Sequence, residues 1–188
     1  MYDLLLRQCR LLQTDRTIAE VDIAVEAGKV AAITPHIASP AKITLEIQNQ
    51  LVSPPFVESH IHLDSALTAG QPRWNQSGTL FEGIEIWRER KQNLSLEDVK
   101  TRAIETLKQQ AIRGVLFVRS HADVSESSLT ALQALLEVRE EVKSWITLQV
   151  VAFPQDGIYG SPHNEALIEK AIDMGADVVG GIPHYELT

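Results

Sequence analysis

The sequence predicts an α/β fold, because its first 50 residues favour short strands and the rest alternates strand-like with helix-like segments. In the later region, apolar runs end near residues 62, 120, 153 and 182, and amphipathic patterns lie between most of them. Strands that are joined through helices run parallel, with right-handed crossovers. We therefore predict a small β-module over residues 1–50 and a parallel sheet with helical cover over residues 51–188.

The predicted β-module consists of short segments with alternating polarity. Residues 21–25 alternate apolar and polar side chains, Gly28 supplies a turn, and residues 30–33 form the returning strand. Residues 43–47 alternate again. This pattern is typical of antiparallel strands that bury one face.

Helix signals lie between the predicted parallel strands. The clearest helix begins at Ser95, where Asp98 completes a pattern similar to a capping box, and it ends before Gly114. We predict helices over residues 96–113 and 126–143, a third helix capped by Asn164, and strands over residues 115–120, 146–153 and 177–182.

Composition limits the classes of partner and the cellular location. The chain has 17 Lys and Arg against 25 Asp and Glu, a net charge of −8, and no cluster of basic residues, so nucleic acid is not an expected partner. No apolar run is long enough to span a membrane, and the N-terminus does not resemble a secretory signal. Cys9 is the single cysteine, which excludes an intramolecular disulfide and leads us to expect a cytoplasmic protein.

His60 and His62 stand at the end of the apolar segment 51–62. Residues two apart on an extended strand project to the same side. Two neutral imidazoles on one side of a strand can bind a single divalent metal. The alternative is a pair that binds no metal, but a position at the carboxyl end of a predicted parallel strand favours a metal site.

A long connection, residues 64–95, follows the histidine pair. Loops of this length in compact domains are commonly functional. Trp74 indicates an ordered segment, and Thr79 with Glu82 predicts a capped short helix through Trp87. We expect this segment to cover the histidine pair.

Four segments, residues 54–64, 68–85, 150–157 and 175–184, resemble the amidohydrolase superfamily and, within it, the bacterial cytosine deaminase family. The resemblance covers essentially the whole chain and corresponds to the N-terminal portion of the family's proteins. It implies that residues 1–50 form a β-sandwich-type module. It also implies that residues 51–188 form the first half of a metal-dependent hydrolase (β/α)8 barrel, truncated after its fourth strand.

The resemblance further implies an activity, the hydrolytic deamination of cytosine to uracil and ammonia with a divalent metal, iron or zinc. His60 and His62 are similar to the family's first two metal ligands, and Gln155 is similar to its pyrimidine-binding glutamine. A primary amide presents a donor and an acceptor side by side, which matches the ring edge of cytosine. His121 and His184 also follow predicted strands but match no family position. We interpret each as a histidine beside the ligands or in a loop.

The family's remaining catalytic groups follow its fifth to eighth strands, for which these residues have no counterpart. They are a third metal histidine, a proton-shuttling glutamate, a further histidine and a metal-bound aspartate. We therefore assign no catalytic residue and expect the chain alone to be inactive. A small nucleobase is the expected substrate, and a homo-oligomer or a complementing C-terminal half is the expected assembly.

Three alternatives remain open. The first is a related hydrolase that acts on another cyclic amidine or amide, such as isoguanine or a triazine. The second is one half of a split enzyme, and the third is a truncated, non-enzymatic remnant. A panel of substrates distinguishes the first alternative from cytosine deaminase. The neighbouring reading frame distinguishes the second from the third, because a frame that encodes the missing half favours a split enzyme. Nucleobase deaminases with a Cys-x-x-Cys zinc site are excluded, because one cysteine cannot supply that site.

Overall fold

The computed structural model of the chain describes residues 1–160, 162–183 and 186. It contains two compact units, Met1–Pro54 and Pro55–Thr188. The first unit is a β-sheet, and the second is a parallel sheet with helices, which confirms the predicted α/β class. Within the described residues, no helix has the length and apolar character needed to cross a membrane.

The first unit is a five-stranded sheet. Its strands are β1 (Tyr2–Leu12), β2 (Ile18–Glu26), β3 (Lys29–Thr34), β4 (Ala41–Glu46) and β5 (Leu51–Val52). Strand β2 pairs antiparallel with both β1 and β3, whereas β4 and β5 pair parallel with β1. Leu5 and Cys9, which are almost inaccessible to solvent, each lie in a small apolar cluster.

The segment before the histidine pair, which the sequence predicts to be one buried strand punctuated by Pro54 and Pro55, is divided between the two units. Leu51–Val52 pairs with β1 and stays with the first unit, which therefore extends beyond the predicted residue 50 to Pro54. Proline has no N–H to donate, so Pro54 and Pro55 interrupt the pairing. The strand that follows is an edge strand, and its first residues, Phe56 and Val57, are 62% and 67% exposed.

The second unit alternates strands and helices. Its elements are β6 (Phe56–Ile61), α1 (Leu80–Lys91), α2 (Leu96–Ala111), β7 (Val115–Asp123), α3 (Thr130–Val142), β8 (Thr147–Phe153), α4 (Asn164–Asp173) and β9 (Val178–Val179). The strands form one sheet in the order β6-β7-β8-β9, and every neighbouring pair is parallel. The carboxyl ends of these strands therefore lie at one edge of the sheet.

Two helices begin where the sequence signals place them. The Ser95 hydroxyl accepts a hydrogen bond from the Asp98 backbone N–H (3.2 Å), and α2 begins at the next residue. The Thr79 hydroxyl accepts one from the Glu82 N–H (3.3 Å) at the start of α1. Each cap satisfies a backbone donor that has no partner within its helix.

The other two helices begin at different residues from those predicted. Helix α3 begins at Thr130 rather than near residue 126, because Leu129 adopts a left-handed conformation (φ 50°). Asn164 is the first residue of α4 and not its cap. Its side-chain amide instead donates to the Gly157 carbonyl (2.6 Å), so the asparagine fastens the helix to the loop after β8.

A single apolar core lies between the helices and one face of the parallel sheet. Helix α3 contributes a row of buried leucines to this core. The fully buried residues of the core include Leu132, Leu135, Val138, Val99, Leu107 and Val150. This packing leaves the opposite face of the sheet, which carries the histidines, without a covering helix among the described residues.

Candidate active site

The register of the parallel strands places three histidines on the face away from the helices. Ile61 pairs with Ser120, and the Ser120 side chain is fully buried on the helical side, where its hydroxyl accepts from the Leu63 N–H (3.1 Å). Side chains alternate between the two faces of a strand, so residues on either side of this pair point to the opposite face. His60, His62 and His121 therefore meet there, at the carboxyl ends of β6 and β7.

The rings of His60 and His62 converge, as their spacing predicts. Their Nε2 atoms are 3.4 Å apart. Two nitrogens that each lie about 2.1 Å from one tetrahedral zinc ion are about 3.4 Å apart, so the pair has the separation of two ligands. A hydrogen bond between the two nitrogens would ordinarily be shorter, about 2.9–3.0 Å. The donor set and its spacing therefore fit a divalent metal such as zinc.

His121 is the third member of the cluster. Its ring stacks on that of His60, with centroids 4.1 Å apart and an interplanar angle of 23°. One nitrogen from each of the three histidines lies within 4.8 Å of the others. His121 is therefore not a loop histidine, because it lies within β7 and belongs to the cluster. His184, the other histidine without a family position, lies outside the described residues.

Burial keeps the imidazoles of His62 and His121 in the form that binds metals. Desolvation, followed by the neighbouring His121 and His60, lowers the pKa of His62 to about 4, although the Asp123 carboxylate opposes the change. Burial, and then His60, also lower the pKa of His121. Neutral imidazole is the metal-binding form, so both rings are ready to bind at neutral pH.

A cavity of about 530 Å³ opens beside the histidine pair. Its polar groups include His60, His62 and Gln155. Its apolar wall is contributed by Leu80, Ile84 and Trp87 of the long connection and by Phe153, Ile182 and Pro183 at the ends of the sheet. An apolar cavity of this size with a few convergent polar groups is typical of a small-molecule site.

Gln155 lies at the same edge of the sheet as the histidine pair, two residues after β8. Pro154 ends the strand, and the Gln155 N–H turns back to the Phe153 carbonyl (3.0 Å). This tight turn directs the glutamine into the cavity. The structure thus brings together His60, His62 and Gln155, the three residues that the sequence analysis selected.

The carboxylates nearest to the histidines in sequence are already engaged. Asp64 is buried, and its oxygens accept from the backbone N–H groups of Ser65 (2.9 Å) and Asp123 (2.8 Å). Desolvation raises the pKa of Asp64 to about 7, although these hydrogen bonds oppose the rise. Glu58 accepts from the His60 N–H (3.0 Å). Neither residue lines the cavity, and the Asp64 carboxylate links the end of β6 to the end of β7 through the Asp123 N–H.

A sequence model described as the amidohydrolase family matches residues 45–188 of the chain. The N-isopropylammelide isopropyl amidohydrolase of Pseudomonas sp. (strain ADP) is 34% identical in an alignment of 186 residues that covers 96% of this chain and 45% of that protein. The chain therefore spans under half the length of this relative.

Two solved structures resemble the chain over nearly its whole length. One is 5-methylcytosine deaminase from Klebsiella pneumoniae liganded with 5-fluorocytosine. It shares 47% identity and a TM-score of 0.91, over 98% of this chain and 44% of that one. The other is N-isopropylammelide isopropylaminohydrolase from Burkholderia multivorans. It shares 27% identity and a TM-score of 0.77, over 96% of this chain and 45% of that one.

Proposed function

Because the chain belongs to the amidohydrolase family, we propose that it carries the metal-binding and substrate-binding groups of a hydrolase that deaminates cytosine or a close analogue. The observation that carries this proposal is the convergence of His60, His62 and Gln155 on one cavity. Identity of 47% to a 5-methylcytosine deaminase supports the choice of substrate. We also propose that Pro55–Thr188 is the first half of a (β/α)8 barrel, since its parallel strands follow one another in sequence order.

His60 and His62 would hold a divalent ion, zinc or iron, and His121 lies close enough to join them or to orient His60. When bound, such an ion supplies an activated water for attack on the ring carbon that bears the amino group, C4 of cytosine. The product pair is then uracil and ammonia. The protein's own contribution at this position is to present two imidazoles at a fixed separation.

Gln155 would bind the substrate ring. Its side-chain amide offers an N–H donor and a carbonyl acceptor side by side, which complements the O2 and ring-nitrogen edge of cytosine. Phe153 and Trp87 line the same cavity and would exclude water from the faces of a planar ring. A site that pairs with such an edge rejects analogues that leave its polar groups unpaired.

A second candidate substrate is an N-alkylated aminotriazine. The supporting observation is the 34% identity to an N-isopropylammelide hydrolase together with the apolar side chains of Leu80 and Ile84 in the cavity wall. Such side chains suit an alkyl substituent on the leaving amine. Both candidates share one reaction, hydrolysis of an exocyclic C–N bond on a six-membered ring.

Binding by the zinc-loaded chain tests the proposal. The chain is titrated calorimetrically with cytosine, 5-methylcytosine and N-isopropylammelide. We expect binding that requires the metal, with cytosine among the ligands of highest affinity. Gln155→Leu should weaken cytosine binding about tenfold or more, because it removes the hydrogen bonds of one amide. Gln133→Leu is the matched control, since Gln133 is exposed on α3. Cytosine binding that depends on neither zinc nor Gln155 would contradict the assignment.

Turnover by the 188-residue chain alone is expected to be undetectable. Asp64 and Glu58 are engaged with backbone N–H groups, so neither is placed as a general base. The absence of general acid–base help costs about 10²–10⁴-fold in rate. The measurement is ammonia release from cytosine with added iron or zinc. Rapid release that His60→Ala abolishes would show that the chain carries a complete catalytic set.

A further inference from the structure

Lys91, the last residue of α1, is a buried cation next to the proposed site. Its side chain is only 3% exposed. The ammonium donates to Oδ2 of Asp156 (2.8 Å) and to Oδ2 of Asp123 (3.1 Å), and Oε1 of Glu126 lies 3.6 Å away. Desolvation would lower the pKa of Lys91, but Asp123 and Asp156 outweigh it, and the net pKa is raised. Lys91 therefore stays charged.

The two carboxylates around Lys91 belong to different parts of the site. Asp123 is the last residue of β7, and its Oδ2 also accepts from Nε1 of Trp87 (2.8 Å), whose ring lines the cavity. Asp156 directly follows Gln155, and its N–H donates to the Ser125 hydroxyl (3.0 Å). The Lys91 ammonium thus joins three parts of the site: helix α1, the end of β7, and the segment after β8 that contains Gln155 and Asp156, here called the glutamine segment.

Apart from an ion pair between Arg90 and Asp98 of α2 (2.7 Å), helix α1 has little other attachment. Ile84 and Lys91 are its only buried residues, while Leu80 and Phe81 are 67% and 64% exposed. Arg88 adds a hydrogen bond to Oδ1 of Asp156 (2.7 Å), again to the glutamine segment. A helix that buries so little apolar surface gains little from packing. Its position over the strand ends is therefore set mainly by the charged groups around Lys91.

We propose that Lys91 is a positioning residue that fixes α1 and the Gln155 segment relative to the histidine pair. Its effect on ligand binding rests on the proposed function, whereas its effect on the position of α1 does not. The long connection after β6 is then a fixed wall of the cavity. A displacement of about 1 Å in such a wall can cost about a hundredfold in rate, so its attachment matters for any reaction there.

A tryptophan reporter tests the positioning role without a ligand. In a Trp74→Phe/Trp145→Phe background, Trp87 is the single tryptophan, and acrylamide quenching reports its exposure. Lys91→Met should increase the quenching of Trp87 and lower hydrogen-exchange protection over residues 80–91 and 154–158, with β7 and β8 unchanged. Lys100→Met is the matched control, because Lys100 forms a surface pair with Glu137 on α3.

Ligand affinities separate positioning from general stability. Lys91→Met should leave zinc affinity unchanged within about twofold and weaken cytosine binding about tenfold, the loss of one hydrogen bond. Asp156→Asn, which keeps Asp123 as a partner for Lys91, should give a smaller change of the same kind. It remains informative if Lys91→Met does not fold.

Three outcomes are decisive. Unchanged Trp87 quenching in both variants would overturn the proposal. The proposal would also be overturned if zinc binding and cytosine binding both fell by the same factor as the fraction of folded protein. Lys91 would then only stabilise the fold. If the wild-type chain binds zinc but not cytosine, the proposed function fails, and the quenching and exchange results still decide the role of Lys91.

Discussion

Replacing both His60 and His62 with alanine is expected to abolish zinc binding by the chain. The two Nε2 atoms, 3.4 Å apart, have the separation of two ligands of one ion, and the double substitution leaves one imidazole of the cluster, His121. Loss of a group that merely orients a ligand costs about 10–100-fold in metal affinity. Loss of two ligands should therefore exceed about a hundredfold, which makes this one of the largest effects expected for the chain.

Competition with a chromophoric chelator at neutral pH measures this effect. His36→Ala is the control, because the His36 side chain is 73% exposed in the first unit. His121→Ala adds a second comparison: a loss of affinity as large as that of His60→Ala would show that His121 is a ligand, and a smaller loss would show that it orients its neighbour. Zinc affinity in the double variant equal to that of the wild type would exclude the histidine pair as the metal site.

The sequence predicts those parts of the structure that local patterns determine. Ser95 and Asp98 define the start of α2, because a cap depends on residues three apart. His60 and His62 face one side because period-two spacing on a strand determines the side chain's direction. Gln155 was selected from the family resemblance, and its position in the cavity follows from its place after the β8 strand.

The features that were missed depend on partners distant in sequence. Leu51–Val52 looks like the beginning of β6, and only its pairing with β1 assigns it to the first unit. His121 joins the cluster because Ile61 pairs with Ser120, a register that no local pattern reveals. The strand pattern nevertheless indicates the direction of the His121 side chain, because Val118 and Ser120 point to one face and the residues between and after them point to the other. Lys91 resembles any charged residue at a helix end until β7 and β8 bring Asp123 and Asp156 to it.

The second large effect concerns the face of the parallel sheet that no helix covers within the part of the chain that the structure describes. Val57 and Phe117 lie side by side on this face and are 67% and 45% exposed. Arg119 and Gln149 form the next row, joined by a hydrogen bond of 2.6 Å. Full burial of an apolar side chain of this size contributes about 1.5–3 kcal/mol, and the exposed fractions of the two side chains represent about 2–3 kcal/mol of unrealised stabilisation. Net domain stabilities are about 5–15 kcal/mol, so this is a substantial fraction.

The edges of the same sheet are also open within the described residues. Strand β6 pairs only with β7, and β9 pairs only with β8. Edge strands present unpaired N–H and C=O groups that recruit further strands. We therefore expect the 188-residue chain to self-associate, with a second copy covering the face that carries Val57 and Phe117.

Light scattering coupled to size-exclusion chromatography tests this expectation. Val57→Lys/Phe117→Lys should shift the chain toward the monomer, since two charges on the face oppose its burial against another copy. Ile112→Lys is the control, because Ile112 is 74% exposed at the far end of α2 and does not belong to the face. If Ile112→Lys dissociates the assembly and the face variant does not, the contact lies on the helices. Thermal unfolding midpoints of mesophilic domains ordinarily lie near or above about 50 °C. A wild-type chain that is a monodisperse monomer and unfolds cooperatively above this temperature would contradict the expected self-association, because the uncovered face would then be stable in water.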